Sequence, residues 1–151
     1  AQRNLVALAR SMETIDGLLS IEHSFQQWSG LLHAFRSARS SLDSQKKRLR
    51  LCFDPCNLQM AEPGIDVAAA VASLSVEEIS MVHLKQCRDG SILPNVSDGG
   101  VNWKIAGKAL ADIGYCGTSL FEVASSTDVW GQLENSRKYL EKIGLVLSAD
   151  S

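Results

Sequence analysis

The feature that most narrows the fold is a repeated switch of hydrophobic period along the chain. Four short apolar runs, Leu18 to Glu22, Leu49 to Phe53, Ile79 to Leu84 and Gly117 to Val123, alternate with longer stretches in which apolar residues recur at helical spacing. A run that is apolar almost throughout, rather than at every second residue, suits a parallel strand covered on both faces. Parallel neighbours need a crossover between them, and a helix is the usual one. The order of runs therefore predicts βα units in series.

The intervening segments supply those helices. Residues from about Arg3 to Thr14 place Leu5, Leu8, Ala9 and Met12 on one face, and Asp16-Gly17 ends the pattern. A second helix is predicted from about Gly30 to Lys47, carried by Leu31, Leu32, Phe35, Ala38 and Leu42. After Asp54-Pro55 the spacing predicts a loop through Pro63-Gly64, a helix from Asp66 to about Leu74 and an acidic turn at Glu77-Glu78. A long polar loop with Arg88, Asp89, Gly90, Pro94 and Gly99-Gly100 precedes a helix from Asn102 to Ile113, stopped by Gly114. The remainder to about Ile143 reads as a last helix. The sum is an α/β chain of parallel βα repeats, with about four strands and five helices, in one domain over residues 1–151. A closed (β/α)₈ barrel takes about 250 residues, so this is half of one.

Charge and cysteines bear on partners and compartment. A net charge of -2 argues against a general nucleic-acid binder. The basic cluster Lys46-Lys47-Arg48-Arg50 reads as the solvated end of a helix, where cations are favoured. No apolar run approaches the roughly 20 residues that span a bilayer, and no basic-then-apolar leader opens the sequence, so a cytoplasmic protein with no membrane partner is expected. Cys52, Cys56, Cys87 and Cys116 match no zinc-ribbon or redox spacing and read as reduced, small, buried residues.

Each apolar run finishes on or beside an ionisable residue: Glu22, Asp54, His83 and Glu122. They are spaced by roughly 30 to 40 residues, about one βα unit. Residues at one height on successive barrel strands face a common point, so these four are expected to converge at the C-terminal mouth, where barrel active sites are built. Taken singly, each has an ordinary explanation. A carboxylate after a strand often caps the next helix, and a lone histidine is often hydrogen-bonded structure. Taken together, three carboxylates and one imidazole form a hard donor set suited to Mn²⁺, Mg²⁺ or Co²⁺ ahead of Zn²⁺. Lys85, two residues after His83, shares its face and is expected to pair with a carboxylate or hold an anionic substrate group. His23 and His33 read as structural or exposed, and Trp28, Trp103 and Trp130 as packing residues, with Trp28 also placed to wall a pocket.

The segments Ile21-Glu22, Phe53-Asp54-Pro55-Cys56-Asn57-Leu58, Val82-His83-Leu84-Lys85, Gly99-Gly100-Val101-Asn102-Trp103 and Gly114-Tyr115-Cys116-Gly117 through Phe121-Glu122 follow one another as in the sugar phosphate isomerase/epimerases. From Leu18 to Leu140 the chain resembles strands five to eight, the C-terminal half, of these xylose isomerase-like or AP endonuclease family 2 TIM barrels. The resemblance implies that Glu22, Asp54, His83 and Glu122 bind a divalent metal. It also implies that Glu22 and Glu122 act as the acid/base pair, moving a proton through an enediolate. Arg88 sits where related enzymes hold substrate hydroxyls. Asn57 stands where several ketose epimerases carry a second histidine, so it offers hydrogen bonds there but no titratable ring.

The expected activity is therefore a metal-dependent isomerase or epimerase of a sugar or sugar-like polyol, in carbohydrate metabolism. Its alternatives are an inosose-type dehydratase on the same ligands, or an inactive barrel fragment that self-associates. An endonuclease IV-like repair activity fits poorly, because that chemistry uses a histidine-rich three-metal site and only 3 histidines are present. Four strands alone leave two open edges, so a homo-oligomer, at least a dimer, is expected.

Overall fold

A computed structural model describes residues 2–145. Four parallel strands form its sheet: β1 (Leu19–Glu22), β2 (Leu49–Phe53), β3 (Ile79–Leu84) and, last in the chain, β6 (Ser119–Phe121). Their order in space is their order in sequence, with every pair parallel. The helices are α1 (Gln2–Ser11), α2 (Trp28–Ser40), α3 (Pro55–Ala61), α4 (Val67–Ala72), α5 (Trp103–Asp112) and α6 (Val129–Lys142). This is the expected βα series, a half (β/α)₈ barrel with β1 and β6 at its edges among the described residues.

The core lies between the sheet and its helices. Leu49, Leu51 and Phe53 of β2 and Val82 of β3 are buried against Phe35 and Ala38 of α2 and Trp103 and Ala106 of α5. Trp28 packs edge-on against Phe53, with ring centroids 5.7 Å apart, and against the buried His23 ring. Thus Trp28 and Trp103 are packing residues and His23 is structural, its Nε2 2.6 Å from the Gln26 carbonyl oxygen. His33 is exposed on α2. Trp130, by contrast, is 80% exposed at the start of α6 and packs into no core.

The two central strands have the bounds their sequence predicts, whereas several flanking elements do not. The second helix ends at Ser40 instead of continuing to Lys47, because Asp43 takes a left-handed φ of 46° and the chain tightens into a 3₁₀ turn over Asp43–Arg48. Arg48 there donates to the Gly17 carbonyl and the Asp16 carboxylate, both at 3.0 Å. The loop expected after Asp54-Pro55 opens instead as α3, which brings the α-helices among the described residues to six where about five were expected. Asp54 accepts hydrogen bonds from the Cys56 and Asn57 amides and Pro55 takes the first turn, where a missing N–H costs nothing. The polar loop after β3 holds a small hairpin, β4 (Cys87–Arg88) with β5 (Ser91–Ile92). Its turn residues Asp89 and Gly90 both have positive φ, the conformation that two-residue hairpins favour. The last strand is shorter than Gly117 to Val123, and the final helix begins only at Val129, capped by Asp128.

All four cysteines are free, and Cys52, Cys56 and Cys87 are buried as expected. Cys116 is exposed, in the turn ahead of β6. No described helix is long and apolar enough to cross a membrane.

Glu78 ties α2 to the sheet. It accepts from Arg36 Nε at 2.9 Å and Nη2 at 2.8 Å, and its other role is a capping box with Ser75. Burial works against its ionisation, but the Arg36 fork and the Ser75 amide outweigh this and hold the carboxyl below its ordinary range. A carboxyl depressed in this way contributes stability above its unfolded pKa and loses it as the pH falls through the folded value. Replacing Glu78→Gln is expected to cost about 1–2 kcal/mol, since Arg36 is half exposed and solvent screens the pair. Thermal melts should show the gap from wild type at pH 7 and its closure below about pH 4. A gap independent of pH would assign the effect to packing.

Candidate functional site

Register decides which side chains meet. Glu22 pairs with Cys52 across β1 and β2, Phe53 with Val82 across β2 and β3, and His83 with Leu120 across β3 and β6. Asp54 follows Phe53, and Glu122 follows Phe121, which pairs with Leu84. The Glu122 amide still donates to the Leu84 carbonyl at 3.2 Å, so that residue keeps the line of the strand. Side chains alternate faces, so Glu22, Asp54, His83 and Glu122 emerge on one face at the carboxyl ends of four adjacent strands.

They come together as the sequence predicts. One ligand atom from each lies within 4.8 Å of every other. His83 Nδ1 is 2.8 Å from Glu122 Oε2, 3.3 Å from Glu22 Oε1 and 3.8 Å from Asp54 Oδ2. The environments differ. The Asp54 side chain is 0% exposed and that of His83 12%, while Glu22 and Glu122 stand 41% and 44% exposed on either side.

Asp54 is the helix cap that its position suggests. Its Oδ1 caps α3, accepting from Cys56 and Asn57 at 2.8 and 2.9 Å, which leaves Oδ2 directed at the cluster. Burial pushes this carboxyl upward, against the opposing pull of the Asn57 amide and Lys85. Asp54 Oδ2 and His83 Nδ1 are buried without a well-directed hydrogen-bond partner among the described residues. Each has a charged neighbour, Lys85 Nζ 2.9 Å from the first and Glu122 Oε2 2.8 Å from the second, but no directed bond. A cation at their common point satisfies both, and three carboxylates with an imidazole are donors that a hard divalent ion accepts. The residues therefore fit a metal.

Two further residues hold the cluster. Lys85 Nζ lies 2.9 Å from Asp54 Oδ2 and donates to Glu122 Oε2 at 3.0 Å, the carboxylate pairing expected of it. Burial alone would lower its ammonium pKa, but these two carboxylates outweigh burial and raise it. Asn57 donates from Nδ2 to Glu22 Oε1 at 2.9 Å and to the His23 carbonyl at 2.8 Å. One amide bond thus fixes Glu22 and the other ties α3 to the chain just past β1, which leaves the Asn57 carbonyl oxygen uncommitted among the described residues. Arg88 projects from the hairpin and donates to the Asp98 carbonyl, so it braces the glycine-rich loop.

Cys52 shares the site face one step below the cluster, and the sequence alone did not place it there. Its thiol is pushed up to about 12, first by burial and then by Glu22, Asp54 and Glu122, so it stays protonated beside the oxygen donors. Gln86 is the other residue without a sequence signal. Fully buried, it donates to the Ser97 and Val101 carbonyls at 2.6 and 3.0 Å and accepts from the Cys87 and Val101 amides at 3.0 and 2.9 Å. The loop closes so tightly on it that a Cβ at Gly99 would lie 2.7 Å from the Cys87 carbonyl oxygen.

Solved structures share this architecture. An L-ribulose 3-epimerase matches 99% of the chain at 22% identity with a TM-score of 0.63, over 48% of its own length. A xylose isomerase-like TIM barrel/4-hydroxyphenylpyruvate dioxygenase fusion protein matches 98% at 12% identity and a TM-score of 0.65, over 27% of its length. The IOLI protein, solved with a binding zinc atom, matches 93% at 10% identity and a TM-score of 0.52, over 68% of its length. The chain thus spans about half the length of the epimerase and has the fold of half a TIM barrel. No protein-family model matches the chain, and no curated protein matches it.

Removing the Gln86 side chain strands two amides and two carbonyls in the interior. Gln86→Ala is expected to destabilise by about 2–4 kcal/mol and to speed exchange of the Val101 amide. Hydrogen exchange that left Val101 as protected as in wild type would show that the loop holds itself.

Proposed function

We propose that the chain is the C-terminal half, strands five to eight, of a metal-dependent isomerase or epimerase acting on a sugar or sugar-like polyol. The observation that carries this is the convergence of Glu22, Asp54, His83 and Glu122 at the carboxyl ends of four parallel strands. It is supported by the shared fold with a sugar epimerase and with a zinc-holding barrel. The metal is proposed to be Mn²⁺, Mg²⁺ or Co²⁺, on the strength of the oxygen-rich donor set. A divalent cation held by the four residues would supply Lewis-acid stabilisation of negative charge on substrate oxygens.

The residues divide the remaining work by exposure. Asp54 and His83, buried at the centre, are anchors. Glu22 and Glu122 flank them on the two edge strands, open enough to reach a bound molecule, and are proposed as the catalytic pair. One removes a proton from a carbon beside a carbonyl, and the other, protonated, delivers its own proton from the opposite side. Asn57 orients Glu22 and Lys85 orients Glu122, so each carboxylate has its own holder. Arg88, past the end of β3, is proposed to meet substrate hydroxyls.

With Mn²⁺ added, the complete barrel should interconvert sugars, and Glu122→Gln or Glu22→Gln should lower the rate by about 10²–10⁴-fold. Conversion that survives Glu122→Gln undiminished removes the proposed proton transfer. The edges of β1 and β6 bear backbone groups without a strand partner among the described residues, and a sheet edge of that kind recruits another strand. Self-association of the 151-residue chain into at least a dimer is the proposed remedy. Light scattering at micromolar concentration should report it, and a stable monomer would refute it.

A further inference from the structure

We propose that Lys85 is the charge-matching residue of the metal site, selecting a divalent over a trivalent cation. This rests on the metal reading above. Three carboxylates meet at the cluster, and the Lys85 side chain, 5% exposed, is packed among them. Its ammonium contacts Asp54 Oδ2 and Glu122 Oε2, the same two oxygens that face His83 Nδ1. Three negative charges against one positive leave two, which a divalent cation neutralises. A trivalent ion would leave a net positive charge in a half-buried site, and desolvation makes such an excess costly.

Geometry keeps the ammonium from turning away. Lys85 shares a face with His83, and its carbonyl accepts from the buried Trp103 indole at 3.2 Å, which pins the backbone at the end of β3. The alternative that Lys85 merely packs, or only orients Glu122, makes a different forecast. An orienting residue alters affinity for every cation alike, whereas a charge-matching residue alters the ratio between cations of different charge.

The experiment is calorimetric titration of the intact metal-free protein with Mn²⁺ alone and with Tb³⁺ alone, in wild type, Lys85→Met and Lys85→Arg. By Coulomb's law at roughly 5 Å and an effective dielectric of about 20, deleting one unit charge favours the extra charge of Tb³⁺ by about 300-fold. The ratio of Tb³⁺ to Mn²⁺ affinity should therefore rise at least about tenfold in Lys85→Met and stay within about threefold of wild type in Lys85→Arg. A ratio unchanged in Lys85→Met, with both ions still bound, overturns the charge-matching role and leaves the metal site standing. Failure of wild type to bind either ion overturns the metal reading, and this proposal with it. Circular dichroism checks each variant's fold, and Lys85→Gln carries the same comparison should Lys85→Met not fold.

Discussion

Parallel register is the constraint on which the rest of this molecule depends. Adjacent strands that run the same way bring their carboxyl ends to one edge of the sheet, and the pairing of Phe53 with Val82 and His83 with Leu120 sets the height at which they meet. A slip of one residue in any pair would send that strand's polar side chain to the helix-covered face. There a carboxylate would lie against Phe35 or Trp103 with nothing to satisfy it. The hydrophobic core thus enforces the geometry of the polar cluster. Leu51, Phe53 and Val82 have only one face on which to be buried, and Asp54 and His83 are left with the other.

Gathering three carboxylates is electrostatically unfavourable, and the fold offsets it with devices local to each strand. Asp54, with no exposure, has two backbone amides on one oxygen and an ammonium beside the other. Glu22 has the Asn57 amide, and Glu122 has Lys85. The devices grade with burial: the deepest carboxylate has the most donors and the two at the edges have one each. The helix that follows β2 belongs to the same arrangement. Asp54 caps α3 with one oxygen, and the cap fixes its rotamer so that the second oxygen points inward. A structural cap and a cluster-facing oxygen belong to one side chain here, because a carboxylate has two oxygens to give.

How much of this was legible in the sequence follows from what each signal measures. Strands β2 and β3 each have a strand on both edges, and their near-continuous apolar runs gave bounds that the structure keeps to the residue. The edge strands β1 and β6 are paired along one side only, and their ends fall inside the apolar runs that suggested them. Helix α3 was hidden because Asp-Pro reads as a stop, although the same pair is also a cap followed by a first-turn proline. The hairpin at Asp89-Gly90 had a recognisable turn signal inside a stretch otherwise read as loop. Spacing brought the four strand-end residues together correctly, and the face shared with His83 foretold the pairing of Lys85. No period announces Gln86 or the orientation of Asn57, whose partners lie in loops that only the folded chain brings near.

The contrast between Lys85 and Cys52 shows how the site chooses its chemistry. Both lie on the site face, both are buried, and both feel Asp54 and Glu122. The lysine meets those carboxylates directly, and their charge holds its proton on. The thiol meets them one level lower, and burial first, then the same charge, pushes it up to about 12. A protonated thiol is a poor metal ligand, so burial, ahead of the field of the carboxylates, makes this cysteine a poor donor beside the oxygen groups.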